Sequence, residues 1–318
     1  MVRQAALSDT YLARVDPSRP PWPGEPVVLT DGTTYVRHTP GGPGAEPALY
    51  VHGLGGSATN WTDMSALLSP WLDGDAMDLP GFGRSAPAGR GGYTLAALSR
   101  RVAQLIEHRG RGPVHLFGNS LGGAISVHLT ATRPELVRTL TLVSPAMPDL
   151  RPRKGSDPLL PLLVVPGASA IAERRLARMD PRQRAQSVIN LCFADPSVVP
   201  ENRLAEAEAE VVRRGELPWA MDAFVRTLRA LIGSYLAPGA GSLWRAANRV
   251  SAPTLIIWGR QDRVVDVSLA DRVARVIPDS RLLILDHVGH VAQLEKPETV
   301  ARAFLGMLTE PAEGAETG

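Results

Sequence analysis

The sequence predicts an α/β protein: a mostly parallel, doubly wound sheet covered by helices on both faces, with a helical cap inserted late in the chain. Three observations predict it. Short apolar runs alternate with amphipathic stretches along most of the 318 residues. Several of those runs are bounded by Gly or Pro and are apolar at successive positions, as strands buried on both faces require. From about residue 145 to 247 the alternation stops, with helical patterns and no convincing strand, and it resumes at Thr254.

In chain order, runs 27–29 and 33–36 flank Asp31-Gly32, a hairpin turn signal that puts an antiparallel pair at one edge. Runs 48–51, 114–117, 139–143, 254–258 and 282–285 supply the remaining strands. Helical periodicity covers 94–109, 121–132, 268–276 and 298–308. Inside the interruption, 203–214 is rich in Ala and Glu and 219–231 is amphipathic, punctuated by Pro196 and Pro200 and by prolines between 145 and 166. Because the sheet pattern resumes afterwards, an insertion fits better than a second independent domain. The expected core is 1–145 with 248–318, and the expected cap is 146–247. The tail after Glu310 is small and polar and is expected to fray.

Composition excludes several function classes. Hydrophobic residues make up 44% and charged residues 21%, which fits a globular core and not a disordered, collagenous or coiled-coil chain. No repeat of fixed period points to a solenoid or propeller. The 34 basic and 32 acidic residues are interleaved and sum to +2, so no whole-chain field draws the protein to nucleic acid. A single cysteine, Cys192, allows neither an intrachain disulfide nor a Cys-rich metal site. Arg3, Asp9, Arg14 and Asp16 interrupt the N-terminus, which lacks the apolar core of a secretory signal. The most apolar stretch, 159–172, is too short to span a bilayer and contains Pro161 and Pro166. A cytoplasmic location is therefore expected.

The chemistry centres on Gly118-Asn119-Ser120-Leu121-Gly122. The pattern G-x-S-x-G alone is a weak signal; its place between an apolar run and a helical stretch is a strong one. A sharp strand-to-helix turn exposes the serine, and glycines two residues either side let strand and helix approach. A serine hydroxyl needs a base to take its proton, and the base needs a carboxylate to orient it. In the elbow architecture the order is Ser, acid, His. Asp262 follows run 254–258 and His290 follows run 282–285, each on a loop leaving a strand, where open α/β sheets build their sites. Among seven histidines, His115 and His128 fall inside elements, His38 and His108 lack motif context, and His287 is the rival. Gly289 permits the tight turn that aims His290 back at Ser120, which favours His290. Asp266 suits a helix start, and Asp286 lies too close to the histidine loop to reach behind the ring. Oxyanion donors are expected at the N–H of Leu121 and of Leu54, the latter in His52-Gly53-Leu54-Gly55-Gly56. No Walker lysine or G-x-G-x-x-G turns that loop into a phosphate cradle.

These residues resemble the α/β-hydrolase fold superfamily, in VHGLGGS (51–57), DLPGFGRS (78–85), GNSLGG (118–123), WGRQD (258–262) and VGHVAQLEKPE (288–298). The resemblance covers about 27–145 and 250–310. It implies Ser120 as nucleophile, Asp262 as orienter, His290 as base, and Leu54 and Leu121 as oxyanion donors, with no cofactor and no metal. Members that open epoxides or remove halides carry a carboxylate in the elbow, where this chain has Ser120; the cap also has only Tyr235, not a tyrosine pair. Hydrolysis of a small-molecule ester through an acyl-enzyme is the leading expectation. The apolar cap stretch 159–165 would line an acyl tunnel, touch a lipid surface or, more simply, pack on the core. A second reading is carbon–carbon hydrolysis of ring-cleavage products, because GNS and the segment Gly289 to Glu295 look similar to that group, although HGLGGSATNW lacks its GGGPGA-type loop. A third is a small-ligand receptor on the same fold.

Overall fold

The computed structural model describes residues 2–149, 178–237 and 239–310. Eight strands form one sheet: β1 (Gly24–Leu29), β2 (Gly32–Thr39), β3 (Glu46–Val51), β4 (Leu72–Met77), β5 (Val114–Asn119), β6 (Val137–Val143), β7 (Thr254–Gly259) and β8 (Ser280–Leu285). Their spatial order is β1-β2-β4-β3-β5-β6-β7-β8. β2 runs antiparallel to both its neighbours, and every other pairing is parallel. The expected antiparallel edge and parallel centre are both present.

The helices are α1 (Thr62–Leu68), α2 (Leu95–Arg109), α3 (Leu121–Thr132), α4 (Pro181–Cys192), α5 (Glu201–Gly215), α6 (Ala220–Tyr235), α7 (Leu243–Ala247), α8 (Ala270–Val276), α9 (Ala292–Glu295) and α10 (Pro297–Thr309). Side chains alternate across a strand, so each central strand feeds two cores. Leu49, Val51, Leu116, Ile256 and Trp258 pack with α2, α3 and α8 on one face. Tyr50, Phe117, Leu255 and Ile257 pack with α1 and α10 on the other. Trp61, Tyr50, Phe117 and Phe304 make a contiguous aromatic cluster there, with ring centroids 4.7–6.3 Å apart. This burial on both faces is why the strands read as unbroken apolar runs.

β4 is the strand that the sequence reading lacks. Leu72-Asp73-Gly74-Asp75 looks like a turn, yet Asp75 lies inside the sheet with its side chain 3% exposed. Arg109 Nε at 3.0 Å and Arg111 Nη2 at 2.8 Å flank its carboxylate, and His38 Nδ1 sits 3.0 Å away. A charge can be buried when it is paired and hydrogen-bonded, and these partners come from distant sequence.

Between β6 and β7 the described residues contain α4 to α7 and no strand, the helical insert expected there. Residues 159–165 of the cap lie outside the described residues. Arg203 on α5 pins the insert to the core, 2.6 Å from Asp63 of α1 and donating to Arg19 O at 3.0 Å. Burial pushes the Asp63 carboxyl upward. No described helix is long and apolar enough to cross a membrane.

Candidate active site

β5 ends at Asn119 and α3 begins at Leu121, leaving Ser120 on the turn between them at φ 54°, ψ −115°. Positive φ in a residue with a side chain costs about 1–3 kcal/mol and persists only where the surroundings hold it. Here Ser120 N–H donates to Val143 O at 3.0 Å, while Ser120 O accepts from Ala124 N–H and Ala146 N–H at 3.1 and 2.9 Å. The flanking glycines are steric requirements. A Cβ on Gly122 would overlap the carbonyl oxygen of Val51, and one on Gly118 would lie 2.6 Å from Ser126 Oγ.

The loop after β3 lies against this turn. A Cβ built on Gly53 would be 3.2 Å from Ser120 Cβ and 3.1 Å from Asn119 Oδ1. Gly53 to Gly56 form a turn, closed by Gly56 N–H to Gly53 O at 3.0 Å, with Gly55 at φ 76°. His52 holds the turn from beneath. Its Nε2 accepts Leu79 N–H at 2.9 Å, so the ring proton resides on Nδ1, which donates to Gly53 O at 2.7 Å. Among the described hydrogen bonds none engages Leu54 N–H or Leu121 N–H. Among the described residues both N–H groups lack a partner, and that of Leu121 lies at a helix N-terminus where partial positive charge gathers.

Burial lowers the His52 pKa to about 4, because a charged ring has no water there. His52 binds a proton more weakly folded than unfolded, so its contribution to stability is present above the unfolded value near 6.5 and is lost as pH falls toward 4. Asp78, pushed up to about 6 by burial, works in the opposite sense over nearly the same range. Ring-nitrogen NMR separates the two. The His52 ring is expected to stay neutral, protonated at Nδ1, down to about pH 4. A ring that titrates near 6.5 would contradict the burial argument.

Asp262 and His290 sit on the loops after β7 and β8. The Asp262 side chain is fully buried, and its Oδ2 lies 2.8 Å from His290 Nδ1. Asp262 Oδ1 accepts the N–H groups of Val264 and Val265 at 2.8 and 2.9 Å, which fixes the carboxylate plane. A carboxylate only accepts, so the ring donates from Nδ1, which in the neutral ring leaves Nε2 the accepting nitrogen. Asn119 joins this loop to the elbow: its Nδ2 donates to Val143 O and to His290 O, both at 3.1 Å. No hydrogen bond joins Ser120 Oγ to the ring among the described residues; such contacts commonly tighten only when substrate binds.

The rivals are elsewhere. His287 and Asp286 are exposed, and Asp286 pairs with Arg260. Asp266 caps the turn that starts at Val267, accepting Ser268 N–H at 2.8 Å. His115 is buried between Glu46 and Thr139, at 2.7 and 2.8 Å. The arrangement brings together a serine on a strained turn, an imidazole paired with a buried carboxylate and, among the described residues, two backbone N–H groups without a partner.

Four supporting residues carried no role in the sequence reading. His52 and Asn119 are two. The third is Asp78, whose oxygens accept Ala58 N–H at 2.6 Å and Arg84 N–H at 2.7 Å, bracing the loops around the site. Its place at the head of DLPGFGRS was the available signal. The fourth is Arg214 on α5, whose Nη2 donates to Gly55 O at 2.5 Å and so brings a cap cation onto the donor-bearing turn. Nothing local in RRG signalled that contact.

Comparison with known proteins fits this geometry. The chain is 29% identical over 277 residues to the dihydrolipoyllysine-residue acetyltransferase component of the acetoin cleaving system of Pseudomonas putida, covering 84% of this chain and 65% of that one. It therefore spans just under two thirds of that relative's length. It is 30% identical to a 2-hydroxy-6-oxononadienedioate/2-hydroxy-6-oxononatrienedioate hydrolase of Pseudomonas putida, covering 84% of this chain and 89% of the relative. It is 27% identical to a monoacylglycerol lipase of Bos taurus, covering 86% and 81%. The model of the alpha/beta hydrolase family matches residues 48–303. With the elbow, the two strand-end loops and the eight-stranded sheet, that match places this chain in the alpha/beta hydrolase family.

Proposed function

We propose that the protein is a serine hydrolase that cleaves carboxylic esters of small or apolar acyl groups. Ser120 Oγ attacks the ester carbonyl while His290 Nε2 takes its proton, and Leu54 N–H and Leu121 N–H bind the oxyanion. The imidazolium then protonates the departing alkoxide, leaving an acyl-enzyme. Water, deprotonated by the same nitrogen, attacks the acyl carbon, and Ser120 leaves with the proton. Asp262 keeps the ring in the Nδ1–H tautomer and stabilises the imidazolium. The observation that carries the reading is the 2.8 Å pairing of the buried Asp262 carboxylate with His290, tied through Asn119 to the strained Ser120 turn. The cap, proposed as residues 146–247, shapes the acyl side of the pocket. The similarity to a monoacylglycerol lipase supports ester chemistry.

A second reading is carbon–carbon hydrolysis of a vinylogous diketone, favoured by the 30% identity to the 2-hydroxy-6-oxononadienedioate hydrolase. A single assay separates the two. Turnover of p-nitrophenyl esters from two to sixteen carbons is expected, with an optimum that sizes the pocket. If only the dienedioate-type substrate turns over, the ester reading gives way to the carbon–carbon one.

A further inference from the structure

Glu295 lies five residues beyond His290, and the ester-cleaving scheme gives it no task. Its carboxylate bridges two parts of the molecule that are far apart in sequence. Oε1 accepts Gly289 N–H at 2.7 Å, in the loop that carries His290. Oε2 accepts Ala194 N–H at 2.8 Å, in the segment leaving cap helix α4. The same two segments meet again where His290 N–H donates to Cys192 O at 2.6 Å. They are in such close contact that a Cβ on Gly289 would overlap Cys192 O and crowd the Phe193 backbone. Nearby, Arg263 Nη1 donates to Asn190 O at 2.9 Å, a further stitch between α4 and the loop after β7.

We propose that Glu295 is a positioning residue for His290: by holding Gly289 N–H and Ala194 N–H on its two oxygens, it fixes the histidine loop to the end of α4 and thereby sets the ring's place beside Ser120. The proposal rests on the Ser120–His290–Asp262 reading. It makes the α4 end of the cap part of the catalytic mount, so that end cannot lift without unseating the base.

A carboxylate suits this task because both oxygens accept, whereas an amide in the same place offers one acceptor and turns an NH2 toward the other N–H. Burial pushes the Glu295 carboxyl upward, and Asp262 pushes the same way; the two N–H donors and Lys296 pull it down. The ionisable groups that act on it are Asp262 on the loop after β7, Cys192 on α4 and Lys296 on the following turn. Cys192 is itself pushed up to about 12 by burial and by the Asp262 and Glu295 charges, so it stays a neutral thiol. A negative charge behind the histidine loop favours the imidazolium that forms when Ser120 gives up its proton.

The test measures saturation kinetics of phosphonylation by a fluorophosphonate (limiting rate and half-saturating concentration) in the full-length wild type, Ser120→Ala, Glu295→Gln and Glu295→Asp, with circular dichroism melting of each. Ser120→Ala is expected to lose labelling. Glu295→Gln is expected to lower the limiting rate about 10- to 100-fold, as small displacements of a catalytic group do, with its half-saturating concentration near that of the wild type. Glu295→Asp keeps two accepting oxygens but shortens the reach, so its limiting rate is expected to fall between those of Glu295→Gln and the wild type. A Glu295→Gln protein with the wild-type limiting rate overturns the proposal. So does a loss in Glu295→Gln that falls equally on limiting rate and half-saturating concentration and merely parallels a loss of melting temperature. Should Glu295→Gln not fold, a wild-type rate in Glu295→Asp overturns it. Undiminished labelling in Ser120→Ala overturns the triad reading itself, an outcome distinct from failure of Glu295 alone.

Discussion

Replacing Ser120 by Ala is expected to lower ester turnover by about 10⁴- to 10⁶-fold while leaving the fold intact. Alanine removes the only atom that forms the covalent bond. The proposed oxyanion donors, Leu54 N–H and Leu121 N–H, remain, so a residual rate above that of water is expected. The substitution has little to disturb: the turn is held by backbone hydrogen bonds of residue 120, and no hydrogen bond of its Oγ appears among the described residues. Alanine still has to adopt positive φ, as serine does. Melting within a few degrees of wild type, with turnover lost, is the expected pair of results. Retained turnover would remove Ser120 from the mechanism.

Asp262→Asn is expected to cost about 10⁴-fold in kcat, for a reason set by its hydrogen bonds. Oδ1 of the carboxylate accepts from Val264 N–H and Val265 N–H, and only an oxygen can do that. The asparagine must therefore keep its oxygen there and turn its NH2 toward His290 Nδ1. An NH2 donates, so the ring is forced to accept at Nδ1 and to carry its proton on Nε2. That is the wrong tautomer to receive the proton of Ser120. The geometry of the site survives while the base is blocked. A steady-state assay beside an NMR spectrum of the ring checks both halves: low kcat with the Nε2–H tautomer is expected. Near-normal kcat would mean that Asp262 does not orient the base.

What was legible in the sequence follows from where the physics is local. Seven of the eight strands were legible: β3 and β5 to β8 as apolar runs on a sheet covered on both faces, and β1 and β2, which alternate buried and exposed positions, through the Asp31-Gly32 turn signal between them. The proposed site residues Ser120, Asp262 and His290 stood out because each lies on the loop leaving such a strand, and strand ends are where loops carry chemistry. β4 was not legible, because Asp73 and Asp75 look like loop residues until Arg109, Arg111 and His38 arrive from other elements. His52 read only as the start of a glycine loop. Its task, a neutral ring holding Gly53 O, depends on Leu79 N–H, which is brought in by the sheet. The helices of the insert were visible as amphipathic periodicity. Their partners were not, since Arg203 to Asp63 and Arg214 to Gly55 span more than a hundred residues of sequence.

The most direct measurement is a rapid-quench reaction with p-nitrophenyl acetate, followed by mass spectrometry of the digested chain. A triad hydrolase accumulates one acetyl group on the peptide that contains Ser120, with a burst of nitrophenol matching the enzyme concentration. That adduct is the expected result, and it should be absent from Ser120→Ala. An acetyl group on another residue, or nitrophenol released equally by the Ser120→Ala protein, would contradict the assignment of Ser120 as nucleophile.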